Sequence, residues 1–231
     1  MRYAYARDSL NACQRLVLYA TLNVCRTVST DAMQVLHGEL PWDLEVTRRG
    51  LLSEFRRGIV PASGDPVTAE EVRSLSKPQC KELLAERMLN TWQSRWEDSV
   101  KGRITYEFIN DVRFATSHGK FAPGLCLGYL LTGHGSMNAY LYKRCLSSTP
   151  SCLCGAPSED VKHLLGECSI YSDLRDLSGC GLRFQNGVLD VSGALRTNES
   201  HERLNAFAVA LFRRRTNLLN NRPTRSDYVP L

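Results

Sequence analysis

Apolar residues recur at helical spacing along much of the chain. Between Asp8 and Arg26 they return every three or four positions, which is typical of a helix that buries one face. The stretch Lys77 to Asp98 shows the same period, with Trp92 and Trp96 four residues apart on one face. An aromatic pair at that spacing favours a core position over a base-stacking surface. The pattern predicts a mainly helical protein.

Capping signals mark where several of these helices begin and end. Thr30 or Asp31 is placed to cap a short helix that Gly38 ends. Two more helix starts are predicted by the capping-box spacing over Thr68–Glu71 and by Ser76 ahead of a proline in the first turn. These signals divide the first hundred residues into several short helices and one long one.

The second half of the chain has shorter patterns. GRITYEFI, residues 102–109, alternates weakly and is the best candidate for a strand. Helices are predicted over residues 122–132, 136–145, 171–177 and 200–219. The span from residue 180 to 195 is ambiguous, and the last residues from 220 are expected to be a frayed tail.

Composition and charge narrow the class of protein. Of the 231 residues, 43% are apolar, which is enough for one large core or two small ones. No stretch approaches the roughly 20 apolar residues that a membrane helix needs, and the N-terminus lacks a signal-peptide pattern. The net charge is +5, with basic residues concentrated between residues 101 and 150 and again in the run Arg213–Arg215. The sequence predicts a soluble, non-secreted protein. The arginine run is interpreted as a solvated helix face, with nucleic-acid contact as an equally weighted alternative from charge alone.

Nine cysteines do not suggest a disulfide framework, because their number is odd and no export signal accompanies them. Cys13, Cys25 and Cys126 have apolar neighbours and are expected to be small buried side chains.

The segment CLCGAPSEDVKHLLGEC, Cys152 to Cys168, is different. Cys152, Cys154, His163 and Cys168 supply three thiolates and one imidazole, which is a ligand set that tetrahedral Zn²⁺ prefers. Gly155 is expected to relieve crowding in the turn after the first pair, and Ser158 is expected to cap a short helix that carries His163. Four protein ligands leave no open position for water, so the predicted zinc is structural rather than catalytic. The single residue between the first two cysteines departs from the usual two to four.

Basic and aromatic residues surround this segment. The candidates for nucleic-acid contact are Lys143, Arg144, Lys162 and Arg175, with Tyr140, Tyr142 and Tyr171 as possible stacking faces. The alternative is that the zinc only joins helices and that the module binds other protein parts. The overall prediction is a mainly α fold: a helical arm with a small zinc-knuckle subdomain and few short strands.

Catalytic motifs are absent from the sequence. It contains no phosphate-binding glycine loop, no GxSxG and no adjacent aspartates of the kind that hold two metal ions in polymerases. No catalytic residue is predicted. A nuclease built on His118, His134 or Asp111 is the less favoured alternative, because scattered residues of these types are usually structural.

The stretch ATLNVCRTVSTDAMQVLHGELPWDLEV, Ala20 to Val46, resembles the segment just after the polymerase core in non-LTR retrotransposon polyproteins. The resemblance is closest to the type-1 elements that insert into arthropod ribosomal RNA genes. It continues in order through TWQSRWEDSVKGRITYEFINDV, LLTGHGSMNAYL and the cysteine segment.

The resemblance implies a function and a division of the chain. Residues 1–60 resemble the end of the reverse transcriptase region, 61–100 form a linker and long helix, and 101–231 form a nucleic-acid-binding C-terminal region with the knuckle at 152–168. The parent polyprotein would be an RNA-directed DNA polymerase and endonuclease acting in target-primed reverse transcription. It would use Mg²⁺, which this part would not bind, and this part alone would be inactive. The implied partners are element RNA, target ribosomal DNA and the rest of the polyprotein, inside the cell and in the nucleus at the point of action.

Overall fold

The computed structural model of the chain describes residues 4–62, 64–117, 123–179, 182–185, 188–190 and 195–221. It divides into two compact units, Met1–Ala122 and Pro123–Leu231. Helices dominate the described residues of both units, which confirms the predicted mainly α fold. The packing boundary at 122/123 does not coincide with the sequence-based divisions after residues 60 and 100, which follow a resemblance and stay a prediction.

Unit 1 is built from helices along its described length. They are α1 (Ala4–Thr21), α2 (Thr30–His37), α3 (Trp42–Arg56), α4 (Ala69–Arg73), α5 (Lys77–Asp98), α6 (Arg103–Phe108) and α7 (Val112–Ser117). Helix α3 packs against α1 and α5, while α2 packs against α1, α6 and α7. The N-cap of α2 is Ser29, one residue before the predicted positions, and its hydroxyl accepts a hydrogen bond from the Ala32 amide at 3.2 Å.

Helix α5 matches its predicted limits. Ser76 and Gln79 form a capping box at its start. Trp92 and Trp96 are both buried in the core of unit 1, which confirms the interpretation of this pair. The Trp96 indole Nε1 donates to the carbonyl oxygen of Ile109 at 2.8 Å, so its polar atom is also satisfied.

The predicted strand over residues 102–109 is wrong, because Arg103–Phe108 forms helix α6. Thr105 and Phe108 lie three residues apart and are both buried, which suits one face of a helix better than the alternation of a strand. Gly102 precedes the helix with φ +67°, and a Cβ there would lie 3.0 Å from the Ala32 Cβ. Glycine is therefore required at this turn for both conformation and space.

Unit 2 combines short helices with one two-stranded ribbon. Its elements are α8 (Leu125–Thr132), α9 (Asn138–Lys143), a π-helical turn (His163–Glu167), a 3₁₀ turn (Ser169–Tyr171), α10 (Ser172–Ser178), β1 (Arg183–Gln185), β2 (Val188–Asp190) and α11 (Asn198–Asn220). The strands pair antiparallel with Arg183 opposite Asp190, in the span that the sequence left ambiguous. Helix α11 packs against α8 and α10 and contributes buried Leu204 and Leu211 to the core of this unit.

Other sequence expectations have mixed outcomes. Cys13 is exposed, and Cys25 and Cys126 are half-buried, so the prediction that all three are core residues is wrong. The buried face of α1 runs through Gln14 and Leu18, which turns Cys13 outward. His118, Cys180 and the tail from residue 222 lie outside the described residues. None of the described helices has the length and apolarity needed to cross a bilayer.

Candidate metal centre

The first two cysteines lie in a tight turn. The Cys152 amide donates to the Ala156 carbonyl at 2.9 Å, and the Gly155 amide donates to the Cys152 carbonyl at 3.0 Å. Gly155 has φ +95°, a conformation that side chains rarely adopt. A Cβ at this position would meet nothing within 4 Å, so the glycine is needed for its backbone angle and not to relieve the predicted crowding.

The second half of the segment is a short helix that widens into a π-helical turn. Asp160 caps it, because its Oδ1 accepts from the His163 amide at 3.0 Å, whereas Ser158 only donates to the other Asp160 oxygen at 2.9 Å. The predicted cap at Ser158 is therefore wrong by two residues. The Cys168 amide donates to the His163 carbonyl at 2.8 Å. This i to i−5 bond is the mark of a π turn, and such turns are frequent at functional sites.

The four predicted ligands converge. One ligand atom from each of Cys152, Cys154, His163 and Cys168 lies within 4.8 Å of all the others. The Cys152 and Cys168 sulfurs are 3.7 Å apart, and the Cys154 sulfur is 3.2 Å from His163 Nε2. A disulfide would bring two sulfurs to about 2.05 Å. With Zn–S bonds of about 2.3 Å, two sulfurs of a zinc tetrahedron lie about 3.8 Å apart.

The surroundings of the four ligands are largely dry. Cys152, His163 and Cys168 are buried, and so are Leu164 and Leu165 of the π turn. The other imidazole nitrogen, Nδ1, faces the Glu167 carboxylate at 3.7 Å. Nε2 is therefore the nitrogen that faces the sulfurs, with a carboxylate on the outer side of the ring, an arrangement common around metal-bound histidines.

Burial acts on the pKa of all three thiols. It raises the pKa of Cys152 to about 12 and also raises the pKa of Cys168. Burial acts in the same direction on Cys154, but hydrogen bonds from the Ala156 backbone and the neighbouring thiols outweigh it and lower that pKa. A divalent cation is the partner that would stabilise three thiolates in so small a volume.

A buried ion pair joins the segment to α11 and was not predicted from the sequence. Glu159 and Arg215 are both buried and make a two-pronged contact. The arginine run was interpreted as a solvated face, and this interpretation is wrong for Arg215. Its spacing from Leu204 and Leu211 places it on the apolar stripe of α11, so the helical period alone indicates a buried cation.

The four residues predicted to contact nucleic acid differ in their exposure. Lys143 and Arg144 are exposed where α9 ends, and Lys162 is exposed beside His163. Arg175 is half-buried, with its guanidinium donating to the Cys168 carbonyl at 2.7 Å and to the Leu164 carbonyl at 3.4 Å. Its role in this structure is to hold the end of the π turn.

The three tyrosines also differ. Tyr171 is 0% exposed and offers no face for stacking, so that prediction is wrong. Tyr140 lies between His134, at 4.9 Å between ring centroids, and the Arg144 guanidinium, 5.6 Å from its ring. Tyr142 is 49% exposed and presents its ring at the surface beside Lys143.

Comparison with known proteins identifies relatives of the chain. The chain is 67% identical over 219 residues to the "Retrovirus-related Pol polyprotein from type-1 retrotransposable element R1" of Bradysia coprophila. It is 44% identical over 208 residues to the R1 2 Pol polyprotein of Nasonia vitripennis, and 42% identical over 211 residues to the "Putative 115 kDa protein in type-1 retrotransposable element R1DM" of Drosophila melanogaster. The chain is a relative of the R1 polyproteins. The relationship predicted from the sequence is confirmed.

These matches cover almost all of this chain but only part of each R1 relative. They span 95%, 90% and 91% of the chain, against 22%, 51% and 21% of the three relatives. No family model matches the chain, and no solved structure matches it.

Proposed function

We propose that Cys152, Cys154, His163 and Cys168 bind one structural Zn²⁺, and that unit 2 binds nucleic acid as part of an R1-type polyprotein. The observation that carries the metal proposal is the convergence of four ligand atoms within 4.8 Å of one another. When bound, the ion would supply a fixed tetrahedral link between the Cys152 turn and the π turn. Its binding free energy would then contribute to the folding of this segment.

The ion is proposed to be structural because the protein supplies all four ligands. Catalytic zinc sites keep a position for water, and three of these ligands are buried. The chain's own residues orient the ligands through the Gly155 turn, the Asp160 cap and the Arg175 contacts to the carbonyls of the π turn.

The nucleic-acid proposal rests on the surface next to this centre. Lys143, Arg144 and Lys162 are exposed, and Tyr142 presents a ring that a base could stack on. Two of the relatives are named as Pol polyproteins of a retrotransposable element, and a basic surface in such a protein suits RNA or DNA. We therefore propose element RNA or target ribosomal DNA as the partner, with target-primed reverse transcription in the nucleus as the process and the rest of the polyprotein as a second partner.

The polymerase and endonuclease chemistry is proposed for the whole polyprotein. No site residue for it was found in this sequence, so residues 1–231 are expected to show no primer-dependent synthesis with Mg²⁺ present. Extension of an annealed primer by the purified chain would contradict this expectation.

Metal content tests the first proposal. Native mass spectrometry of the full chain is expected to give one zinc per molecule, and Cys168→Ser is expected to lose it. Cys145→Ser is the matched control, because Cys145 is an exposed cysteine of the same unit outside the cluster. Absence of zinc from the wild type after refolding with Zn²⁺, or equal loss in both variants, would remove the metal assignment.

Salt dependence tests the second proposal. Binding to a single-stranded RNA should weaken with salt, and the double variant Lys143→Gln/Arg144→Gln should reduce the slope of log K against log salt by about 1.4, or roughly 0.7 per phosphate contact. Arg56→Gln/Arg57→Gln makes the same charge change at exposed sites of unit 1 and is expected to leave the slope unchanged. Absence of binding by the wild type at low salt would favour the alternative of a protein interaction module.

A further inference from the structure

Glu159 and Arg215 are two opposite charges removed from water in the middle of unit 2. Their side chains are 0% and 5% exposed. Arg215 Nε donates to Glu159 Oε1, and Arg215 Nη2 donates to Glu159 Oε2 at 3.0 Å. The guanidinium therefore binds both carboxylate oxygens. The pair joins the metal segment to α11 across 56 residues of sequence.

Asn138, at the start of α9, completes the network. Its backbone amide donates to Glu159 Oε2 at 3.2 Å, and its side-chain oxygen accepts from Arg215 Nη2 at 2.8 Å. Its side-chain amide donates to the Ser151 carbonyl at 2.7 Å. Ser151 directly precedes Cys152, so one network reaches the first metal ligand from α9 and α11.

The backbone of Glu159 is fixed as well. Its amide donates to the Pro150 carbonyl at 2.8 Å, and its carbonyl accepts from the Ala139 amide at 3.2 Å. Glu159 lies between Cys154 and His163 in sequence, so it anchors the link between the two halves of the ligand set. A change in its position would move the thiolate turn relative to the imidazole.

A stabilising role alone does not account well for this arrangement. A buried ion pair often contributes little compared with apolar residues of similar volume, because both charges lose their hydration. The ion pair is directional, which apolar packing is not, because a two-pronged contact fixes both the distance and the angle between the two side chains.

We propose that the Glu159–Arg215 pair is the positioning device of the metal segment, through which metal binding and the packing of α11 are coupled. The inference rests on the zinc binding proposed above. Because linkage is reciprocal, any factor by which the pair raises metal affinity is also a factor by which the metal favours the paired arrangement of α11.

The test compares two paired variants of the full chain. Glu159→Met/Arg215→Met removes the directional contact and leaves no unpaired buried charge. Asp173→Met/Arg214→Met is the matched control, since Arg214 neighbours Arg215 on α11 and holds Asp173 by a two-pronged contact in which the two side chains are 34% and 55% exposed. Zinc affinity is measured by chelator competition, and geometry by the visible absorption of the Co²⁺ form.

We expect the buried-pair variant to bind zinc about tenfold or more weakly, the range seen when groups that orient metal ligands are changed. We also expect its Co²⁺ spectrum to change, while the control keeps wild-type affinity and spectrum. Hydrogen exchange of α11 amides should slow on zinc binding in the wild type and much less in the buried-pair variant. Arg215→Lys, which keeps the charge but loses the fork, should fall between them and serves as the reporter if the double variant does not fold.

Wild-type affinity and an unchanged Co²⁺ spectrum in the buried-pair variant, or in Arg215→Lys where only that variant folds, would overturn the coupling and leave the zinc proposal intact. Failure of the wild-type chain to bind Zn²⁺ or Co²⁺ would instead remove the zinc proposal itself. The two failures are therefore distinguishable.

Discussion

Units 1 and 2 differ in how far they bury paired charges. In unit 1 the buried Asp43 pairs with Arg95, which stays 32% exposed, whereas in unit 2 both members of the Glu159–Arg215 pair are buried. The centre of unit 1 is apolar, with Trp92 and Trp96 of α5 among its largest side chains, and its fully buried Gln14 is a neutral amide bonded to Gln34 and Leu40. Unit 2 also has an apolar core, but it buries three potential metal ligands and a carboxylate–guanidinium pair beside them. We therefore expect stability to be spread over many contacts in unit 1 and, with the proposed Zn²⁺ bound, to depend more on one segment in unit 2.

Removal of the metal should produce the largest difference in stability between the two units. Structural zinc contributes roughly 10 kcal/mol of binding free energy in small Cys/His modules, so chelation should lower the opening free energy of unit 2 amides by several kcal/mol. Unit 1 contains no ligand of the cluster and its amides should keep their protection. Hydrogen exchange of the zinc-loaded chain, with and without a chelator, measures both units in one sample. Equal loss of protection in the two units would show that their stabilities are not separate.

The corresponding test in unit 1 is truncation of the Trp96 side chain. Trp96→Ala should cost about 3–5 kcal/mol, because it leaves a large cavity and an unpaired Ile109 carbonyl. Trp96→Phe refills most of the cavity and should cost less, which separates packing from the hydrogen bond. Denaturant unfolding followed by tryptophan fluorescence, together with hydrogen exchange, measures the loss of stability in each of the two variants. Loss of zinc by either variant would contradict the expectation that the stabilities of the two units are independent.

The difference between the units also determines what could be predicted from the sequence. Helix α5 was predicted with its limits, because its apolar period and the start signal of Ser76 ahead of a proline agree. The metal ligands were predicted because three cysteines and a histidine at close spacing form a ligand set that suits tetrahedral Zn²⁺. The Glu159–Arg215 pair was not predicted, because a pairing across 56 residues depends on tertiary packing, and charged residues are exposed in most settings.

Local errors have the same origin. The helix over Arg103–Phe108 was predicted as a strand because six residues carry too little period to distinguish the two forms. The cap at Asp160 was misassigned to Ser158 because both residue types cap helices and the sequence does not say which one meets the His163 amide. The order of residues limits these choices, and the packing of the turn decides between them.

The smallest effect is expected at the capping box of α4, in unit 1. Thr68→Ala removes the hydroxyl that accepts from the Glu71 amide at 3.2 Å and should cost about 1 kcal/mol of stability, whereas Thr68→Ser should cost little.

Hydrogen bonds from the Thr68 backbone and hydroxyl, with Arg87 nearby, lower the pKa of Glu71. A lowered carboxyl pKa adds stability above the ordinary value of 4.5, and that contribution is lost as the pH falls through the lowered value. The pKa of Glu71 should therefore move up toward its ordinary value in Thr68→Ala and stay low in Thr68→Ser, as read from carboxyl chemical shifts. Because α4 lies outside the metal segment, zinc affinity should be the same in both variants, and a change in it would show that this cap of unit 1 is coupled to unit 2.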